Sequence, residues 1–137
     1  MKKIPQIILI EDDPRWLKRI RIVLEATNCK IEAYGKYSEK LLRRLEKKDY
    51  DLLVTDLHLG GFERRNEGQV VVEYARKLNN DIPIIVITGY PFEDVLEVIN
   101  SLVEAKIDDF VAKSNWDPAR LLQTVKILLK KSKKKPS

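Results

Sequence analysis

The sequence has few cysteine and histidine residues and no long apolar run. It contains one cysteine, Cys29, and one histidine, His58, in 137 residues. A single cysteine cannot form an internal disulfide, which favours a reducing compartment, and we expect a cytoplasmic protein. No apolar run approaches the roughly 20 residues of a membrane span, and the first apolar stretch is too short for a secretory signal. We therefore expect no membrane insertion.

The positive charge of the chain is concentrated at its C-terminus. The net charge is +5, with 26 basic and 21 acidic residues, and five of the lysines lie at positions 130, 131 and 133–135. We expect one domain over residues 1–131 and a basic tail over 132–137. The tail is typical of a solvated helix end beside the negative pole of the helix dipole. A nucleic-acid or anionic-membrane contact is the alternative interpretation.

Five short apolar runs alternate with segments of helical periodicity. The runs are Ile7–Ile10, Cys29–Tyr34, Leu52–Asp56, Ile84–Ile87 and Asp109–Ala112. Strict alternation of strands and helices predicts parallel strands with right-handed crossovers and helices on both faces of the sheet. The sequence therefore predicts an α/β fold, a flavodoxin-like doubly wound five-stranded parallel sheet with strand order 2-1-3-4-5.

Helix starts are marked by capping residues. Asp13–Pro14 and Asp117–Pro118 each place a carboxylate before a proline, and Ser38 precedes another helical segment. For the third helix, Gly68–Asn79, the periodicity predicts inward-facing side chains at four positions: Val71, Tyr74, Ala75 and Leu78.

Polar residues follow four of the five predicted strands. They are Glu11 with Asp12, Asp56, Thr88 and Lys113. Each alone is typical of a turn, a cap or a solvated strand end. In a parallel sheet, however, all four strand ends meet at one edge, so three carboxylates, a hydroxyl and an ammonium should share one crevice. Oxygen ligands of this kind favour Mg²⁺, and a carboxylate can act as the nucleophile in phosphoryl transfer.

These motifs together resemble the receiver domain of bacterial and archaeal response regulators. The resemblance covers residues 4–131, and the motifs lie at 7–14, 52–56, 83–89 and 109–113. It implies that Asp56 accepts a phosphoryl group from a histidine kinase or a phosphotransfer protein, with Lys113 holding its oxygens. It also implies an Mg²⁺ site formed by Asp12, Glu11, Asp56 and the backbone carbonyl of His58.

The resemblance further implies a switch. Thr88 would move toward the phosphoryl group, and the ring of Phe110 would turn inward to fill the space that Thr88 leaves. This movement would reshape the face made by the fourth helix, the fifth strand and the fifth helix. We therefore expect a signalling phosphoacceptor that catalyses only its own phosphorylation and dephosphorylation. It would bind an unknown downstream protein, as a monomer or as a phosphorylation-dependent dimer.

Four features depart from the family pattern. The segment from Thr88 to Lys113 is about one helical turn longer than usual, and Lys106 stands where a helix-ending glycine is common. The loop 57–67 is about four residues longer than usual, and we favour a mobile loop over one whose Arg64 or Arg65 reaches the phosphoryl group. In addition, Ser114 follows Lys113 where the family has a proline in a cis bond.

Four other functions compete with a single-domain response regulator. The departures favour an interaction module that has the receiver fold but no phosphorylation cycle. A haloacid-dehalogenase-like phosphatase would need a second aspartate two residues after Asp56, where His58 stands. Nucleic-acid binding would depend on the lysine tail and would be strongly salt-dependent, and we consider it unlikely. His58 as a phosphorelay histidine is disfavoured because it lies on a loop.

Overall fold

The computed structural model describes residues 3–57, 67–79, 81–89 and 99–134, the last with side chains to residue 132. Five parallel strands form one sheet in the order β2-β1-β3-β4-β5. The strands are β1 (Gln6–Ile10), β2 (Lys30–Tyr34), β3 (Leu52–Asp56), β4 (Ile84–Thr88) and β5 (Asp109–Ala112). The predicted fold class and strand order are therefore confirmed.

Helices connect the strands and cover the sheet. They are α1 (Pro14–Glu25), α2 (Glu39–Lys47), α3 (Glu67–Leu78), the helical residues 99–104, which we label α4, and α5 (Pro118–Lys134). A short 3₁₀ turn, Lys113–Asn115, follows β5. The predicted start of the fourth helix at Pro91 lies outside the described residues. None of the helices in the described ranges is long and apolar enough to span a membrane.

The sheet separates two apolar cores. One contains side chains of α2, α3 and α4, and the other contains side chains of α1 and α5. The strands β1, β3 and β4 contribute alternate residues to both cores, and every residue of β3 and β4 is buried. Burial on both faces explains why these three strands read as continuous apolar runs rather than as alternating ones.

The predicted helix caps are present. Asp13 accepts a hydrogen bond from the Arg15 amide, Ser38 from that of Leu41 and Asp117 from that of Arg120. One predicted core position in α3 is wrong. Leu78 is 45% exposed, whereas Val72 is fully buried. The buried face of this helix includes Val72 in its second turn and does not extend to Leu78 at its C-terminal end.

Lys106 lies two residues after the end of α4 and has a backbone φ of 56°. This left-handed conformation is the one in which a glycine is usual after a helix, and it costs a lysine free energy. Arg76 of α3 compensates by donating hydrogen bonds to the carbonyls of Ala105 at 2.6 Å and Lys106 at 3.1 Å. The guanidinium thus joins α3 to the end of α4.

Glu32 is the centre of a polar cluster on the face of β2 that α2 covers. Its carboxylate accepts from Arg44 at 2.5 Å, Lys48 at 2.7 Å and the Tyr50 hydroxyl at 2.5 Å. Partial burial alone would raise the pKa of Glu32, but these donors outweigh it and lower the pKa to about 2. The cluster attaches the edge strand β2 to α2 and to the segment before β3.

We predict that Glu32→Gln lowers the free energy of unfolding at neutral pH by roughly 1–3 kcal/mol, because the donors lose a charged acceptor. A lowered pKa stabilises the fold above the unfolded-state value of 4.5, and this stabilisation is lost as the pH falls toward about 2. Wild-type stability should therefore decline more steeply than that of the variant across this acidic range. Urea unfolding at a series of pH values measures both curves.

Glu39→Gln is the matched control for this experiment. Glu39 pairs with Arg43 at 3.3 Å on the exposed face of α2, where an ion pair contributes less than about 0.5 kcal/mol. Parallel pH curves for wild type and Glu32→Gln would contradict a stabilising role for the Glu32 cluster.

Candidate functional site

Glu11 and Asp56 lie side by side at the carboxyl edge of the sheet. Strands β1 and β3 pair in register through Ile10 and Thr55, so the next residue of each strand end falls beside the other. Both side chains are buried, with Glu11 1% and Asp56 4% exposed. Burying two carboxylates together is unfavourable unless a positive charge lies between them.

Lys113 supplies that charge. Its Nζ lies 2.7 Å from Glu11 Oε1 and 2.9 Å from Asp56 Oδ2. The lysine begins the 3₁₀ turn that follows β5, and its peptide bond to Ser114 is trans. The ammonium therefore reaches both carboxylates with a trans peptide bond after the lysine.

The two acids compete for one ammonium group. Burial, followed by the neighbouring charge of Asp56, raises the pKa of Glu11 to about 8, although Lys113 opposes this rise. Burial alone would lower the pKa of Lys113, but hydrogen bonds and charges from Glu11 and Asp56 outweigh it and raise that pKa. Glu11 is therefore poised to release a proton when further positive charge enters the site.

Asp12 completes a group of three carboxylates. One oxygen from each of Glu11, Asp12 and Asp56 can be chosen so that the three lie within 4.8 Å of one another. When all are ionised, one ammonium leaves two net negative charges in the group. In addition, the buried Glu11 Oε1 has its ion pair with Lys113 to offset its charge, and Lys113 is shared with Asp56. An all-oxygen donor set with this excess charge fits a hard divalent cation such as Mg²⁺.

The remaining predicted site residues are placed as follows. Thr88 ends β4 beside Ala112, and its side chain is 1% exposed. Phe110 lies in β5 opposite Val86, half-buried, and packs against the core formed with α2, α3 and α4. His58, Arg64 and Arg65 lie outside the described residues. The functional roles assigned to all of these residues stay predictions.

Sequence reasoning missed a glycine that the site requires. Gly68, in the first turn of α3, is buried against the end of β3. A Cβ built on it would lie 2.1 Å from the Asp56 carbonyl oxygen and 2.6 Å from Leu57 Cα. Its amide also donates to the Leu57 carbonyl at 3.1 Å. A glycine inside the start of a predicted helix was the signal that could have indicated this close approach.

Sequence reasoning also missed a contact between two tryptophans beside the site. Trp16 of α1 and Trp116, after the 3₁₀ turn, meet edge to face with ring centroids 5.2 Å apart. The Lys113 Nζ lies 5.3 Å from the centroid of the Trp16 ring. Their separation by 100 positions in the sequence conceals this contact, because it arises only where α1 and α5 pack on the same face of the sheet.

Solved structures of receiver domains share this architecture. The CheY-like receiver domain protein of Methanospirillum hungatei is 25% identical, with a TM-score of 0.80, and the alignment covers 96% of this chain and 98% of that one. The receiver domain of a sensor histidine kinase from Pseudomonas aeruginosa, solved with a magnesium ion coordinated in its active-site cleft, has a TM-score of 0.72 at 20% identity. That alignment covers 93% of this chain and 99% of the other.

Sequence comparison gives the family. The transcriptional regulatory protein ComA of Bacillus subtilis is 31% identical over 99 residues, which are 71% of this chain but 44% of ComA. The family model for the response regulator receiver domain matches residues 7–126. The chain therefore belongs to the receiver-domain family of response regulators, the signalling phosphoacceptors of two-component systems.

We predict that Gly68→Ala destabilises the fold by about 1–3 kcal/mol, because the new methyl group must displace the backbone of Asp56 or Leu57. Chemical denaturation measures this loss. Gly35→Ala is the control, since nothing lies within 4 Å of a Cβ at Gly35, and its effect should stay within about 0.5 kcal/mol. Equal stabilities of the two variants would show that α3 can move away from Asp56 at little cost.

Proposed function

We propose that this chain is a response regulator receiver that accepts a phosphoryl group on Asp56 from a histidine kinase or a phosphotransfer protein. One observation carries the proposal: Lys113 Nζ lies 2.9 Å from Asp56 Oδ2 and 2.7 Å from Glu11 Oε1. A buried acceptor carboxylate is thus already paired with the cation that can hold the transferred group. The family match over residues 7–126 supports the same conclusion.

In the proposed reaction, a carboxylate oxygen of Asp56 attacks the phosphorus atom of the donor. A new oxygen–phosphorus bond forms, and the bond from phosphorus to the donor breaks, with its electron pair leaving on the donor. Lys113 then turns from the Asp56 carboxylate to an oxygen of the bound phosphoryl group. Catalysis of this kind depends on position and charge neutralisation more than on covalent chemistry by other side chains.

Glu11, Asp12 and Asp56 are the residues that would hold Mg²⁺, with Asp12 as the direct carboxylate ligand and the His58 carbonyl as a further one. The ion would neutralise negative charge on the phosphoryl oxygens. The close grouping of the three carboxylates supports this assignment. Release of the Glu11 proton would accompany metal binding, because added positive charge opposes the effects that raise the pKa of Glu11 to about 8.

Thr88 and Phe110 would convert phosphorylation into a change of surface. Thr88 is buried at the end of β4, and the register Asp56–Ile87 places it one residue beyond the acceptor. Phe110 borders a cavity of about 210 Å³ between β5 and the start of α5. Phe110 is only half-buried, and the phosphoryl group would bias its ring between two positions.

We predict that acetyl phosphate with Mg²⁺ adds one phosphoryl group to the protein and that Asp56→Asn abolishes the addition, because an amide is a poor nucleophile. Intact-mass spectrometry measures the adduct. Asp49→Asn is the control, since Asp49 is an exposed acid shortly before the same strand and should leave labelling unchanged. Wild-type protein without any adduct would favour a receiver-fold interaction module that has no phosphorylation cycle.

We also predict that Mg²⁺ changes tryptophan fluorescence in a saturable way, because Trp16 contacts the lysine that pairs with the proposed metal ligands. Asp12→Asn should weaken the apparent affinity at least tenfold, since it removes the exposed carboxylate ligand. Titration with MgCl₂ measures both values, with CaCl₂ as a comparison and NaCl as the ionic-strength control. An unchanged affinity in Asp12→Asn would contradict Asp12 as the direct ligand.

A further inference from the structure

Two tryptophans form a corner beside the ammonium group of Lys113. Trp16 lies in the first turn of α1, and Trp116 directly follows the 3₁₀ turn that begins at Lys113. The planes of the two rings are 83° apart, and the Lys113 Nζ lies over the Trp16 ring, 5.3 Å from its centroid. This distance is inside the ~6 Å within which the face of an aromatic ring attracts a cation.

The corner is anchored to the core. Trp116 packs against the apolar cluster that α1 and α5 form under the sheet. Its ring in turn supports the Trp16 ring, which is half-buried. The Trp16 ring therefore has a fixed position from which to hold the ammonium.

The backbone around Lys113 provides little restraint on its side chain. The 3₁₀ turn has three residues and no side-chain cap hydrogen bond, and both Ser114 and Asn115 are exposed. The stem of a lysine is long and flexible. The stem passes Gly89, where a Cβ would lie 3.3 Å from Lys113 Cδ, and the ammonium at its end contacts the carboxylates of Glu11 and Asp56 and the ring of Trp16.

These contacts differ in what happens to them during the proposed reaction. Phosphorylation of Asp56 and metal binding by the acids both change the carboxylate contacts of Lys113. The attraction of the aromatic face does not depend on the charge state of the carboxylates. We infer that Trp16 is a positioning residue, supported by Trp116, that keeps the Lys113 ammonium at the phosphoacceptor site before and after phosphorylation. The functional meaning of this inference rests on the proposed function.

The test measures the accessibility of Lys113 in the unphosphorylated protein. Limited acetylation at one fixed pH, followed by peptide mass spectrometry, gives the modification rate of Lys113 relative to exposed Lys40. We expect Trp16→Leu to raise this rate roughly three- to tenfold and Trp16→Phe to keep it within about twofold of wild type, because phenylalanine retains an aromatic face. The rate of labelling by acetyl phosphate should fall for Trp16→Leu and recover for Trp16→Phe.

Arg19→Gln is the matched control. The Arg19 guanidinium carbon lies 4.9 Å from the centroid of the same ring, so this change removes a cation from Trp16 without altering the ring itself. It should leave the Lys113 modification rate unchanged. Should Trp16→Leu fold poorly, Trp16→Met gives the same comparison with an unbranched apolar side chain.

Two results would overturn the inference. One is a wild-type modification rate in Trp16→Leu, and the other is an equal increase in Trp16→Leu and Trp16→Phe, which would indicate a packing role only. Both concern protein without phosphoryl donor or Mg²⁺, so they leave the proposed function intact. If acetyl phosphate does not label the wild-type protein, the proposed function is contradicted. If, in the same protein, Trp16 still protects Lys113 from acetylation, the positioning role is supported.

Discussion

A single ammonium group between two buried carboxylates is the constraint on which the site depends. Glu11 and Asp56 come from neighbouring parallel strands, and their burial is tolerable only because Lys113 contacts both of them. The pairing is incomplete, because three acids face one ammonium and the pKa of Glu11 stays raised. The positive charge of a divalent cation would complete this pairing.

A second, partly buried charge cluster lowers the pKa of its central carboxyl group instead of leaving it raised. Glu32 is surrounded by several donors, and they lower its pKa to about 2, so its charge is fully satisfied and attaches β2 to α2. Burial and the charge of Asp56 raise the pKa of Glu11, and the one cation that it shares with Asp56 does not offset them. The first arrangement stabilises the fold, whereas the second keeps a carboxylate group ready for a ligand. The two glutamates thus differ in the number of donors available to each carboxylate. This difference distinguishes a structural cluster from a candidate functional site.

Close packing at the strand ends gives the site its precision. Gly68 allows α3 to approach the backbone of Asp56 and Leu57 more closely than any side chain would permit. On the other side, the corner formed by Trp16 and Trp116 lies against Lys113. Asp56 and Lys113 are thus held by packing contacts from α3, from α1 and from Trp116 before α5. Such support suits the proposed phosphoryl transfer, whose chemistry would depend on position.

The sequence by itself determined the order of elements, the parallel sheet, the helix caps and the residues at the strand ends. These features are local: apolar runs predict buried strands, and aspartate before proline predicts a helix start. Only the tertiary structure decided that Val72 rather than Leu78 faces the core, that Gly68 must be a glycine, and that Trp16 contacts Lys113. Those facts depend on the rotation of a helix and on distances between elements far apart in the chain. Local patterns do not settle them, because they arise from the packing of whole helices against the sheet.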